Sequence, residues 1–239
     1  MTKVPSVLDL LKAGAHFGHQ SSRWHPKMEP YIYGIRNSVH IIDLEKTVKK
    51  LEEAQEFIKK VVSNNGTILF LGTKKQVQGI IEKEAKRCGM PYISQRWLGG
   101  FLTNFSTVIK LGKKYKDLLQ KKEKGELAKY TKKEQLNFQR EIEKLASAIG
   151  GVKDMEKLPE ALFVWDVKTE KTAVLEAKKK KIPIIGICDT NTNPEGIDYI
   201  IPSNDDATKA ISLITEYIAD CALEYTKKEE VKKQEDKKA

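Results

Sequence analysis

Short, almost entirely apolar segments alternate with longer amphipathic segments along most of this sequence. Ile68–Leu71, Ala161–Trp165 and Ile184–Cys188 are three such apolar runs, and the first two each precede a segment with helical spacing. Strands buried on both faces are continuously apolar, and strands that alternate with helices build parallel sheets. The pattern therefore predicts an α/β core, formed by residues 1–101 and 151–225, in which helices cover both faces of a parallel sheet.

Local signals add detail to the first part of this core. Tyr31–Ile35 and Val39–Ile42 are predicted to be strands joined by a turn, while residues 16–27 show no regular pattern and are expected to be irregular. Thr73 and Gln76 have the spacing of a capping box, which predicts a helix that begins beside them.

Residues 102–150 interrupt the alternation. Apolar residues recur there at intervals of three and four in two stretches, separated by the polar segment Lys121–Tyr130. Two helices with narrow apolar seams and a charged linker predict an antiparallel coiled-coil hairpin that projects from the core. The last segment, 226–239, is rich in charge and poor in apolar residues, so a charged, flexible tail is expected there, either as a frayed helix end or as a disordered segment.

The charge balance favours a polyanionic partner. The sequence carries 43 Lys and Arg against 33 Asp and Glu, a net charge of +10. Basic proteins bind nucleic acids partly because each neutralised phosphate releases counterions, although lysine-rich helix faces can also be merely solvated. Cys88, Cys188 and Cys221 form no CxxC pair, and no signal segment or long apolar run occurs, so a soluble, cytoplasmic protein is expected.

Enzymatic chemistry finds little support in the sequence. The strand–helix junction at Gly72-Thr73-Lys74-Lys75 lies where α/β folds hold phosphate, but neither GxGxxG nor GxxxxGK[ST] is present. The sequence also lacks GxSxG and HExxH motifs. A non-enzymatic protein without a cofactor is therefore expected.

Four residues are weak candidates for metal binding. Asp189 follows an apolar strand, at the kind of position where α/β sheets bind ligands, and Asp205 begins another element. Their carboxylates suit Mg²⁺, and the addition of His16 or His19 would suit Zn²⁺. The alternative is that these aspartates cap helices and form turns, and this reading is preferred.

Basic and aromatic residues cluster in predicted turns and at the ends of elements. Loops of this kind can offer guanidinium, ammonium and aromatic groups to phosphates and unstacked bases. For Trp24 and Trp97, the alternative is that their rings pack beneath the loops. The predicted RNA-binding residues are Arg23, Trp24, His25, Lys27, Arg36, Asn37, Lys74, Lys75, Arg96, Lys110, Lys113 and Lys114.

Seven short motifs occur in a fixed order along residues 4–225. Each is common enough to mean little alone, but the series in register is highly specific. The motifs are His16–Gln20, Trp24–Met28, Arg36–Asn37 with Asp43–Thr47, Gly72–Gln76, Arg96–Gly100 with Leu102–Asn104, Asp189–Asn191, and Ile201–Ala207.

This series closely resembles the bacterial-type ribosomal protein S2 family of the small subunit. One departure is Ser203, where the family commonly has Gly, which affects only the local turn. The resemblance implies a flavodoxin-like (Rossmann-like) parallel sheet with a protruding coiled-coil hairpin. It also implies a structural constituent of the small ribosomal subunit that contacts small-subunit rRNA and other small-subunit proteins, and helps to recruit ribosomal protein S1.

Two other functions are compatible with a basic α/β chain. The first is a nucleotide-dependent enzyme on the same fold, which micromolar binding of ATP, GTP or NAD would reveal. The second is a protein–protein scaffold that docks through the hairpin and carries incidental positive charge, and its particles would be insensitive to RNase. The series of motifs favours the ribosomal protein over both.

Overall fold

The computed structural model describes residues 2–236, without the side chains of 128 and 227–236. Two sheets and seven α-helices form the fold in this part of the chain, with short 3₁₀ turns between them. The strands are β1 (Phe17–Gln20), β2 (Ile32–Arg36), β3 (Val39–Ile42), β4 (Ile68–Leu71), β5 (Tyr92–Ile93), β6 (Ala161–Val164), β7 (Ile184–Cys188) and β8 (Tyr199–Pro202). The helices are α1 (Val7–Ala13), α2 (Leu44–Ser63), α3 (Lys75–Cys88), α4 (Phe105–Glu123), α5 (Lys132–Ile149), α6 (Lys171–Lys180) and α7 (Thr208–Asp236).

The larger sheet is parallel and has the strand order β5-β4-β6-β7-β8. Numbered within this sheet, the order is 2-1-3-4-5, which is that of flavodoxin-like folds. The chain therefore leaves β4 toward one edge and returns through β6 toward the other. A crevice opens between the carboxyl ends of these two strands, where α/β proteins commonly bind ligands. The predicted parallel sheet flanked by helices is confirmed.

Successive side chains of the central strands enter two different cores. Ile68 and Phe70 pack in one cluster with residues of α2, α3 and α7. Leu69 and Leu71 belong to a second cluster, which contains residues of α4, α5 and α6. Because side chains alternate across a strand, continuously apolar strands supply both faces at once. The second cluster fixes α6 on one face of the sheet, and this position matters for the surfaces described below.

The smaller sheet is antiparallel, with the order β1-β3-β2. β2 and β3 were expected, but the prediction that residues 16–27 are irregular is wrong at its start, where Phe17–Gln20 forms β1. Its sequence, Phe-Gly-His-Gln, has no alternation of apolar and polar residues. Pairing with the edge of β3 provides the order that local propensity does not, which is a tertiary effect.

The first turn of α3 also differs from expectation. The helix begins at Lys75, with Lys74 at the N-cap and no side-chain cap. Instead of capping α3, the Thr73 hydroxyl donates to the buried carboxylate of Glu170 at 2.5 Å. The predicted capping box of Thr73 and Gln76 is therefore wrong, because a charged acceptor from a distant part of the chain takes the hydroxyl.

α4 and α5 follow one another in the region predicted to be a hairpin and contact each other. Lys114 pairs with Glu141 at 2.5 Å, and Lys122 donates to Gln139 at 2.9 Å. A residue later in α4 therefore contacts a residue earlier in α5. The two helices therefore run antiparallel.

In the segment expected to be a flexible tail, α7 continues to Asp236, and residues 237–239 lie outside the described residues. No helix in the described part of the chain has both the length and the hydropathy needed to cross a membrane.

Candidate nucleic-acid interface

The turn between β2 and β3 presents Arg36 at the tip of a hairpin. Asn37 and Ser38 both have positive φ, 49° and 60°, and the strands close with Arg36 opposite Val39. Two left-handed central residues define the type I′ turn that suits the twist of paired strands, and asparagine tolerates this conformation well. Arg36 and Asn37 are consequently exposed to solvent.

The segment that carries Arg23 is bound to this hairpin and to the parallel sheet. The backbone N–H of Ser21 donates to Ser38 at 2.9 Å, and the N–H of His25 donates to Thr190 at 2.8 Å. Arg23 ends the intervening 3₁₀ turn and is exposed. The short connection through Ser21 and Ser38 brings the segments of Arg23 and Arg36 together, close to the loop that follows β7.

Arg96 lies on a loop that a single buried carboxylate organises. Glu176, on α6, is only 7% exposed. Its side chain accepts the indole N–H of Trp97 at 3.1 Å and the backbone N–H groups of Gly100, Leu102 and Thr103 at 2.8, 2.9 and 3.1 Å. Trp97 is buried beneath the loop, as the alternative reading of the sequence expected, whereas Arg96 remains exposed.

The electrostatics of Glu176 explain why a carboxylate can occupy this position. Burial would raise its pKa, but the hydrogen bonds from Trp97 and the loop backbone outweigh burial and hold the pKa below its ordinary value. Glu176 is therefore charged at neutral pH, and its donors satisfy that charge. Because these contacts fix several consecutive backbone groups, they also fix where the adjoining Arg96 leaves the loop.

The crevice between β4 and β6 is filled by an internal ion cluster. The ammonium of Lys74 lies 3.0 Å from Asp166, 2.9 Å from Asp205 and 3.1 Å from Asp206. Asp166 and Asp205 are each 2% exposed, and Lys74 is 22% exposed. Lys74 was predicted to contact RNA phosphate, but its ammonium already forms ion pairs with these three carboxylates. The crevice where related folds hold nucleotides is thus occupied by side chains of the protein itself.

The cluster is strongly coupled. Burial would lower the pKa of Lys74, but hydrogen bonds and attraction from Asp205 and Asp166 raise it, so the ammonium stays charged. Burial, with repulsion from Asp189 and Asp166, raises the pKa of Asp205 although Lys74 opposes this. Removal of Lys74 would therefore raise the pKa of Asp205 further and leave the buried carboxyl groups of Asp166 and Asp205 without their cation.

Two of the four metal-ligand candidates lie in a compact donor set. One ligand atom from each of His19, Asp205 and Asp206 lies within 4.8 Å of the others. Asp189 contacts the other side of His19, with 3.1 Å between its carboxylate and Nδ1. His16 is not part of this group, and its ring lies against that of Phe17 with 4.0 Å between the centroids and a tilt of 38°. The donor types suit Zn²⁺, but Lys74 already supplies a positive charge to both aspartates.

The predicted RNA-binding residues divide into two groups. Lys27 pairs with Glu195, Lys74 with the ion cluster and Lys114 with Glu141. Trp24 lies against the ring of His40, with 5.2 Å between centroids, and His25 accepts the N–H of Lys27. Six cationic residues of the set are exposed and form no ion pair within the described residues: Arg23, Arg36, Lys75, Arg96, Lys110 and Lys113.

Four of these six residues are associated with one edge of the parallel sheet. Lys75 follows the carboxyl end of β4, and Arg96 follows the carboxyl end of β5. The segment of Arg23 is hydrogen-bonded to the loop after β7, and that of Arg36 is bonded to the segment of Arg23. Carboxyl ends of parallel strands lie at the same edge of a sheet. We call Arg23, Arg36, Lys75 and Arg96 the edge surface.

Three carboxylates that organise this region were not predicted from the sequence: Asp166, Glu170 and Glu176. Glu176 lies among the buried helix residues Ala173, Val174 and Ala177. A glutamate on the apolar face of a predicted helix is a signal that could have identified it. Asp166 follows the apolar run Ala161–Trp165, just as Asp189 follows the run Ile184–Cys188.

A family model described as Ribosomal protein S2 matches residues 10–225, which include both sheets and all the residues of the edge surface. This family consists of structural proteins of the small ribosomal subunit and not of enzymes, and it implies association with rRNA and other ribosomal proteins. The chain belongs to the ribosomal protein S2 family.

Proposed function

We propose that this structural protein of the small subunit binds small-subunit rRNA through the edge surface. The observation that supports the proposal most directly is the set of four exposed cations, Arg23, Arg36, Lys75 and Arg96, which have no carboxylate partner within the described residues. Exposed charges of one sign, on elements that are rigidly held, attract a polyanion and contribute little to the fold itself.

The mechanism is positional. Guanidinium groups bind phosphate oxygens in pairs, so arginines at fixed positions hold a particular arrangement of the RNA backbone. The type I′ turn fixes the backbone at Arg36, and Glu176 fixes the loop of Arg96. Structured RNA is recognised mainly through its shape, phosphates and 2′-hydroxyls, so few contacts to base edges are expected.

Replacement of Arg23, Arg36 and Arg96 by Ala together tests the proposal. We expect the variant to fold normally, because none of the three side chains forms an ion pair or a hydrogen bond with the residues that the structure describes. We expect it to enter small subunits poorly in a reconstitution assay. The matched control replaces Lys49, Lys60 and Lys83 on α2 and α3, which removes the same charge from a different part of the surface. Normal incorporation of the arginine variant, or an equal defect in both variants, would refute the edge surface as the RNA contact.

We also propose that α4 and α5 form an antiparallel coiled-coil hairpin, and that 102–150 is an insertion in the core formed by 1–101 and 151–225. The cross-contact of Lys114 with Glu141 and the seam of Val108, Tyr115, Leu118 and Ile142 support this. Lys110 and Lys113, exposed on α4, are proposed to contact RNA as well. A spin-label distance measured between residues 122 and 139 would exceed that of neighbouring antiparallel helices if the proposal is wrong.

An exposed apolar face supports a second role, which is the docking of ribosomal protein S1. Phe17, Tyr33 and Ile35 of the antiparallel sheet are 51%, 82% and 61% exposed, and Leu11 of α1 is 46% exposed. These side chains line an open cleft of about 690 Å³. Apolar patches on a protein as highly charged as this one commonly mark protein contacts. Arg36 of the edge surface borders the cleft, but most of the lining is apolar, so the cleft suits a protein side chain better than RNA phosphate.

Titration of S1 against Tyr33→Ser together with Ile35→Ser tests the second role. Loss of two exposed apolar contacts is expected to weaken binding at least tenfold, because interface side chains that matter contribute more than about 1 kcal/mol each. Leu136→Ser is the matched control, since Leu136 is 50% exposed on α5, away from the cleft. Unchanged affinity in the double variant would exclude the cleft as the S1 site.

A further inference from the structure

The exposed side of α6 carries a concentration of lysines that the edge surface does not include. Six lysines lie within residues 168–181, and all are exposed. Lys171, Lys178 and Lys179 follow the i, i+7, i+8 spacing of one helical stripe, with the 60% exposed Leu175 between them. We call Lys168, Lys171 and Lys178–Lys181 the α6 lysine face.

The acidic residues within this segment do not offset its positive charge at the surface. Glu170 is 5% exposed and accepts from Thr73, and Glu176 is 7% exposed and accepts from the loop of Arg96. Both carboxylates therefore point into the protein. Glu195 is an exposed acid beside α6. Its carboxylate pairs with Lys27, and its backbone carbonyl accepts from Lys178 at 2.8 Å. The solvent-facing charge of α6 is consequently positive along its whole length.

Helix electrostatics account for only part of this pattern. Lysines in the last turn of a helix are favoured by the negative end of its dipole, which covers Lys178, Lys179 and Lys180. The same dipole does not favour Lys171 at the first helical position, directly after the N-cap Glu170. The dipole therefore accounts for the lysines of the last turn but not for Lys171.

The conformation of Lys181 is the second independent observation. It ends α6 in the left-handed region, with a φ of 56°. Glycine normally takes this position because it lacks Cβ, and glycine does so at the ends of α1 and α3, with Gly14 and Gly89. A lysine here keeps a fourth consecutive positive charge at the expense of backbone strain. Strained residues that persist in this way are often retained for a contact outside the fold.

We propose that the α6 lysine face binds phosphates of small-subunit rRNA as a second contact, separate from the edge surface. α6 spans ten residues, or about 15 Å, along one face of the sheet. It runs from the carboxyl edge, beside the loop of Arg96, toward the amino edge. The rRNA backbone thus contacts the protein at the sheet edge and continues down the α6 side. This inference rests on the proposed function, and it adds a binding face to it.

Salt-dependent binding of the full chain to small-subunit rRNA tests the second contact. One variant changes Lys178, Lys179, Lys180 and Lys181 to Gln, and the matched control changes Lys49, Lys59, Lys60 and Lys83, which are exposed on α2 and α3. Each phosphate contact adds about 0.7 to 0.9 to the slope of log affinity against log salt. We expect the slope to fall by about 2 to 3.6 in the first variant and by less than about 1 in the control.

The outcomes separate this inference from the proposed function. If the wild-type chain binds with a steep slope and the α6 variant equals the control, the α6 contact is refuted while rRNA binding by the edge surface stands. If the wild-type slope is itself flat, the proposed electrostatic binding of rRNA fails. An α6 variant that retains its rRNA slope but loses a protein partner of the subunit would instead make the face a protein contact, which also overturns the inference.

Lys181→Gly provides a test in which stability and binding move in opposite directions. Glycine relieves the left-handed strain, so the midpoint of thermal unfolding should rise. The same change removes one cation, so the slope of the salt dependence should fall by about 0.7 to 0.9. A higher midpoint with an unchanged slope and affinity would show that Lys181 does not reach RNA.

Discussion

Glu176 is the side chain through which the fold controls a proposed RNA contact. We therefore predict the effect of Glu176→Gln, which keeps the size of the side chain and removes its charge. One carboxylate oxygen accepts from Trp97 and Gly100, and the other accepts from Leu102 and Thr103. The amide of glutamine has one oxygen, so whichever way it turns, its NH₂ group faces two donors that have lost their acceptor.

The size of the loss follows from these contacts. A buried donor left without an acceptor costs about 1–3 kcal/mol. Two such donors, partly relieved by movement of the loop, correspond to a loss of about 2–4 kcal/mol in the free energy of unfolding. For a domain of this size, the midpoint of thermal unfolding should fall by about 4–16 °C. The rRNA affinity should also fall, although Arg96 itself is unchanged.

Dependence on pH provides a specific signature. The pKa of Glu176 is lower in the folded protein than its ordinary value of 4.5, so its stabilisation is present above pH 4.5 and is lost as the pH falls through the folded pKa. Calorimetry should thus show the difference between wild type and Glu176→Gln shrinking below pH 4.5. The control is Glu56→Gln on the exposed side of α2, expected to change stability by less than about 0.5 kcal/mol. An equally small effect of Glu176→Gln at pH 7 would refute the reasoning.

Three further predictions concern the ion cluster, the close approach of β1 and the thiols. Lys74→Met should destabilise the fold by about 3–5 kcal/mol in urea unfolding, because it leaves Asp166 and Asp205 buried without their cation, and a loss below 1 kcal/mol would contradict the cluster. Gly18→Ala should cost about 1–3 kcal/mol, since its Cβ would lie 2.5 Å from the Thr190 side chain, whereas Gly34→Ala, with open space around it, should be nearly neutral in the same assay. Burial raises the pKa of Cys88 to about 11, so iodoacetamide should modify it at pH 7.5 only after unfolding, and rapid alkylation of the native protein would contradict this.

The sequence was sufficient to predict the elements whose secondary structure is determined by residues close together in the chain. β4, β6 and β7 lie within the continuously apolar runs Ile68–Leu71, Ala161–Trp165 and Ile184–Cys188. These features depend on neighbours a few residues away. Arg36 was also identified as part of a turn, and that turn is the hairpin tip.

What sequence could not provide is the pairing of distant polar groups. Thr73 has the spacing of a cap, but Glu170, nearly a hundred residues away, takes its hydroxyl. Lys74 resembles a phosphate ligand until Asp166 and Asp205 are brought beside it by the strand order. β1 exists because β3 offers it an edge. In each case the fold brings the partner residue into contact from a distant part of the sequence, so no local sequence pattern indicates the pairing.

The salt dependence of binding to small-subunit rRNA tests the central claim most directly. If the four cations of the edge surface each neutralise one phosphate, affinity should fall by at least roughly 50-fold between 50 and 200 mM monovalent salt. The Arg23, Arg36 and Arg96 to Ala variant should lose about 2 to 2.7 from the slope of log affinity against log salt. A wild-type affinity that hardly changes over this range, or a variant with the wild-type slope, would contradict the account.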